Sequence, residues 1–179
     1  VLGTVDQAAA AAALTYEAYR DTPHMMYFLR HDQNDALSLR FQAPHGWDLT
    51  AVEPHLHILP MGGTAGDAIF DGQYAWCSAR GRAPLGPLST WTPFRLVVPL
   101  IGADQYQERV VSLGIITPPS HAAFASANLL VHIRRPGAAD AADTYAGGKA
   151  DGTAGANIGL LFVDCHYRLT KLGSSGLRG

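Results

Sequence analysis

From His24 onward, apolar and polar residues alternate with a period of two in short runs cut by Gly, Pro and Asp. The runs read HMMYFLR, ALSLRFQAP, AVEPHLHILP, AIFDGQYAWCSA, FRLVVPLIG, ERVVSLGIIT, NLLVHIRRP and IGLLFVDCHYRLTKL, with turn formers such as HDQND, PHGWD, MGGTAGD and TPPS between them. In LSLRF, Leu37, Leu39 and Phe41 share one face while Ser38 and Arg40 share the other. The last run is apolar on both faces through LLFV, which predicts a central strand covered on both sides. Pro99, inside VVPLIG, removes a ladder donor and predicts an edge strand or a bend. Eight such runs predict a mainly β, single-domain β-sandwich or jelly roll over residues 23–179.

The pattern before His24 is different. DQAAAAAALTYEAYRDTP offers Asp6 as a helix N-cap, an alanine run and a stop before Pro23, predicting a helical arm within residues 1–22. Alanine favours helix but gives little apolar area to hold it down, so the arm is either docked on a partner or only partly ordered. Residues 78–90 are too broken by Gly and Pro to form a strand. Residues 137–157 are dominated by Ala, Gly and Asp and read as a long loop able to reach a neighbouring subunit.

Composition sharpens this picture. The chain has 179 residues, enough for one well-cored domain; 47% are hydrophobic and only 16% charged, against about 25% in an ordinary soluble domain. A net charge of −2 and no Lys/Arg run argue against a nucleic-acid or anionic-lipid partner. The longest apolar stretches fall well short of the roughly 20 residues of a membrane helix. The start shows no basic segment followed by an apolar one, so the expectation is a protein kept in a reducing compartment. Cys77 and Cys165, far apart in apolar strand contexts, read as buried free thiols; sequence leaves their pairing open.

The chemistry is sparse. His55 and His57 lie on one face of a strand and could chelate a divalent metal, as His-x-His does in cupin jelly rolls, with His132 or His166 closing the site. No Glu follows at the cupin spacing, however, and the structural reading of both histidines ranks above the metal one. There is no Gly-x-Ser-x-Gly elbow, His-Glu-x-x-His helix or phosphate-cradling glycine loop. Glu53, Asp71 and Asp164 are strand-borne acids; Asp164 sits in the most apolar strand and, if buried, needs an Arg or His partner. Of the aromatics, Tyr74 and Trp76 read as core, while Trp91 and Tyr145 read as exposed contacts.

Four blocks carry a resemblance: LSLRFQAPHGWD, EPHLHILP, GQYAWC and DTYAG…GLLFVDCHYRLTKLGSSG. In this order, over residues 15–175, they resemble small virion-associated proteins of tailed bacteriophages. The resemblance implies a non-enzymatic β-domain, homo-oligomeric as a dimer or trimer, located in the virion after assembly in the bacterial cytoplasm. Its partners would be the major capsid protein or other virion proteins, with no cofactor, nucleic acid or membrane. The leading expectation is a capsid decoration (cement) protein. The alternatives are a head or tail fibre component recognising a host glycan, and a metal-dependent jelly-roll enzyme. Under the leading reading His45, Trp47, His55, His57, Asp164 and His166 are structural polar groups: the first two lock a turn, the rest orient strands.

Overall fold

A computed structural model of the chain describes residues 4–7, 15–20, 22–44, 46–77, 91–118, 127–146 and 157–169. His45, the alanine run, the segment 78–90 and the part of the long loop from 147 to 156 lie outside the described residues.

All eight expected strands are present: β3 (Met25–Arg30), β4 (Ala36–Gln42), β5 (Trp47–Pro60), β6 (Gly66–Cys77), β7 (Thr92–Leu100), β8 (Arg109–Ser112), β9 (Asn128–Arg134) and β10 (Asn157–Leu169). They form two antiparallel sheets, which contain β4-β9-β6-β7 and β3-β10-β5-β8 as neighbours. The chain changes sheet at each step from β3 to β10 except between β6 and β7, which is jelly-roll connectivity.

Each sheet gains one further edge strand. β1 (Thr4–Gln7) pairs with β4, and β2 (Thr15–Ala18) pairs with β3. The described parts of residues 1–22 are therefore edge strands rather than the expected helical arm. Alanine propensity is a local preference, and pairing with an open strand overrides it at both ends of the alanine run.

The core follows the alternation. Leu37, Leu39 and Phe41 of β4 meet Leu56 and Ile58 of β5, Phe70 and Trp76 of β6, and Leu160 and Val163 of β10 in one cluster fed by both sheets. β10 is central in its sheet and β7, with Pro99, is an edge. Trp47 stacks on Trp76, with centroids 5.5 Å apart and planes 8° from parallel. Beside them, Phe41, Val52, Trp76 and Cys165 bound a void of about 10 Å³, too small for a ligand. Cys77 and Cys165 are buried on different sheets and are not bridged to each other; burial pushes the Cys165 thiol up to about 12.

A buried polar clamp joins the two sheets at the start of the long loop. Arg135 and Asp143 are both fully buried and pair through two nitrogens and both carboxylate oxygens, each at 2.9 Å. Arg135 also donates to the carbonyls of Leu29 on β3 and Tyr145, while Asp143 accepts the Ile69 N–H of β6. The Tyr145 hydroxyl donates to the Gly62 carbonyl and accepts from the Gly62 N–H. Tyr145, expected to be exposed, is thus buried. Its small neighbours Ala146 and Thr144 concealed an aromatic anchor that finds its apolar and polar partners only in the tertiary fold.

The clamp is entered through a 3₁₀ turn at Gly137–Ala139. Gly137 has φ +53°, and a Cβ there would lie 2.1 Å from the His31 carbonyl oxygen. Gly137→Ala combines a left-handed backbone with an immovable backbone clash, so we expect it to destabilise by more than roughly 2 kcal/mol. The shift of the urea midpoint, with slope unchanged, measures this; a wild-type midpoint would refute it.

Candidate functional site

Strand alternation decides where the histidines point. Val52, Leu56 and Ile58 of β5 enter the core, so Glu53, His55 and His57 occupy the outer face of that sheet. On β10, Val163 and Cys165 face inward, leaving Phe162, Asp164 and His166 outside. The register then brings the two sets together: Asp164 lies opposite His55, Phe162 opposite His57, and His166 opposite Glu53. β8 continues the rows, with Ser112 opposite His55 and Val110 opposite His57. A cupin-like site inside the sandwich is therefore not formed by these residues.

Asp164 is the hub. Its Oδ1 lies 3.3 Å from His55 Nδ1 and 3.6 Å from His57 Nε2, and its Oδ2 lies 3.2 Å from His166 Nε2. The other nitrogens of the two β5 histidines meet glutamates: His55 Nε2 at 3.3 Å from Glu53 and His57 Nδ1 at 2.5 Å from Glu108. Ring packing fixes the orientations. His57 stacks on Phe162 at 3.8 Å, and His166 meets His55 edge-on at 4.4 Å. His55 and His57 are about one-eighth exposed, Asp164 a quarter, and His166 about two-thirds, so the cluster opens to solvent at His166. Ser112 donates to Glu53 at 2.6 Å, and this bond, with His55 beside it, holds the Glu53 carboxyl below its usual range.

Asp164 is not the deeply buried acid that its apolar strand suggested; among the described residues that role falls to Asp143 and Asp35, each held by an arginine. Its expected histidine partner is present three times over. Glu108 and Ser112 were not singled out from the sequence, because only the β5–β8 register places them here. His132 does not join the cluster. It lies on the other sheet, its ring 3.3 Å from Ser38, where burial lowers its pKa.

Two other surface features stand out. A shallow groove of about 390 Å³ on the outer face of the β4-β9-β6-β7 sheet is lined by Asp71, Gln73, Phe94, His132 and Arg134, with Arg134 gripping Asp71 through two 2.8 Å bonds. Trp91, 36% exposed, immediately precedes the strand that supplies Phe94. The second feature is apolar. β7 and β8 are each one edge of a sheet, and the short link 101–108 joins them on one side of the sandwich. Val97, Ile101, Val110 and Ile115 are each more than half exposed: by alternation Val97 lies on the outer face of one sheet and Val110 on the outer face of the other, while Ile101 and Ile115 lie past the ends of β7 and β8. No protein-family model and no curated protein matches this chain.

Proposed function

We propose that this chain is a non-enzymatic structural protein of a tailed-bacteriophage particle, acting as a homo-oligomeric decoration protein that covers and stiffens the shell. The observation that carries the assembly reading is the apolar side, the set of exposed aliphatic residues on and beside β7 and β8. Four such side chains in water around two edge strands are a liability for a lone domain and an asset for one whose β7–β8 side is wrapped by copies or a shell. Pro93 and Pro99 in β7 remove ladder donors, which discourages strand-to-strand polymerisation and favours side-chain packing. The virion context comes from the four sequence blocks. What supports treating them as one unit is that they pack pairwise, Trp47 on Trp76 and the His55–His57 strand on the Asp164–His166 strand.

A second reading, glycan recognition by a fibre component, is favoured by the groove beside Trp91. It presents a paired carboxylate and guanidinium, an amide and an imidazole around one opening. Copy number separates the two. Quantitative mass spectrometry of purified particles is expected to give one chain per major capsid subunit, or a simple fraction of it. A few dozen copies would transfer the protein to a fibre, and absence from particles would overturn both.

A further inference from the structure

The histidine face holds an arrangement that the proposed shell role does not use. His57 Nδ1 meets the Glu108 carboxylate at 2.5 Å, and its Nε2 faces Asp164 Oδ1 at 3.6 Å. Both atoms are shut off from solvent and neither has a hydrogen-bond partner. Polar atoms left facing each other in this way make the cluster a candidate for a bound cation. The surroundings agree: Glu53, Glu108 and Asp164 place three carboxylates around three imidazoles, and a ligand atom from each of His55, Asp164 and His166 lies within 4.8 Å of the others.

We infer that His55, Asp164 and His166 form a site for one divalent first-row metal ion of the zinc type, with His57 as a positioning residue behind Asp164. The donor set decides the class. Two imidazoles and one carboxylate suit Zn²⁺, whereas Mg²⁺ and Ca²⁺ want mainly oxygen ligands. Ligands at zinc bond lengths of about 2.0–2.2 Å in tetrahedral array sit roughly 3.3 Å from one another. His55 Nδ1 lies 3.3 Å from Asp164 Oδ1 and His166 Nε2 lies 3.2 Å from Oδ2, and one ligand atom from each residue falls within 4.8 Å of the others, so small side-chain rotations reach that spacing. His57, clamped between Phe162 and Glu108, stands 3.6 Å behind the carboxylate and limits where it can turn. The exposed side at His166 leaves the fourth position to water. Bound there, the ion would tie β5 to β10 from outside, a clip across the two strands.

The test is zinc titration of tag-free, chelator-stripped protein by calorimetry, with metal content by mass spectrometry. One Zn²⁺ per chain is expected, and at a hundredfold excess over Kd the melting temperature rises by about 5–10 °C. His166→Ala and Asp164→Asn, an exposed truncation and an isosteric change, are each expected to weaken binding more than tenfold with unchanged far-ultraviolet circular dichroism. His132→Ala, on the other sheet, is expected to bind as wild type. No saturable Zn²⁺ binding would overturn the inference. Stoichiometric binding that survives both His166→Ala and Asp164→Asn would overturn it as well, by placing the ion elsewhere.

Discussion

Arg135→Ala is expected to lower stability by about 3–5 kcal/mol, the cost of leaving a buried carboxylate without its counter-charge. Folded domains are stable by only about 5–15 kcal/mol, so this one change removes a large share of the total. The magnitude follows from the geometry rather than from the ion pair alone. The guanidinium spans Leu29 on one sheet, the Tyr145 carbonyl and Asp143, which in turn holds the Ile69 N–H on the other sheet. Removing it strands acceptors in a dry interior on both sheets at once. Arg135→Lys keeps the charge but not the planar fork, and is expected to recover only part of the loss. Arg135→Met with Asp143→Leu removes both charges and is expected to be more stable than Arg135→Ala, while still leaving the Leu29 and Tyr145 carbonyls unpaired. Chemical denaturation followed by circular dichroism reads all three. A loss below about 1 kcal/mol for Arg135→Ala would mean that the clamp is incidental to the fold.

How far the sequence revealed this molecule differs between its levels. Period-two patterning located all eight strands, because each buries one face against the other sheet and so must alternate. The LLFV run marked β10 as central, which it is, but not as covered on both faces: Phe162, on its outer face, is 41% exposed. Pro99 marked an edge because it lacks a donor. Pattern was silent where the decisive partner is distant. IRRP reads as a surface basic pair until Asp143 is folded onto Arg135, and Tyr145 sits in a stretch whose composition resembles a solvated loop. The edge strands β1 and β2 were hidden by the alanine run between them. The candidate site was half legible. His55 with His57, and Asp164 with His166, each announce a shared face by their spacing of two. That the two faces are one face depends on the Asp164–His55 register between strands far apart in the chain, which no local signal encodes.

The apolar side carries the other large effect. Val97→Asp with Val110→Asp is expected to leave the monomer's stability within roughly 1 kcal/mol, since both residues are more than half exposed and their strands pair through the backbone. At a packed interface the same two carboxylates would be desolvated without partners, costing several kcal/mol and weakening association at least about a hundredfold. Light scattering after gel filtration is then expected to report a monomer, and occupancy on particles is expected to fall with it. Met25→Asp tests the address. Met25 is a comparably exposed apolar residue on β3, next to the opposite edge of the same sheet, and its substitution is expected to leave mass and occupancy unchanged. The sign of the effect can separate the alternatives because the substitution is nearly neutral in water and prohibitive only where water is excluded. A doubly substituted protein that keeps the wild-type mass and occupancy would show that the β7–β8 side faces solvent in the assembly. Loss of assembly in Met25→Asp alone would move the interface to the β2–β3 side.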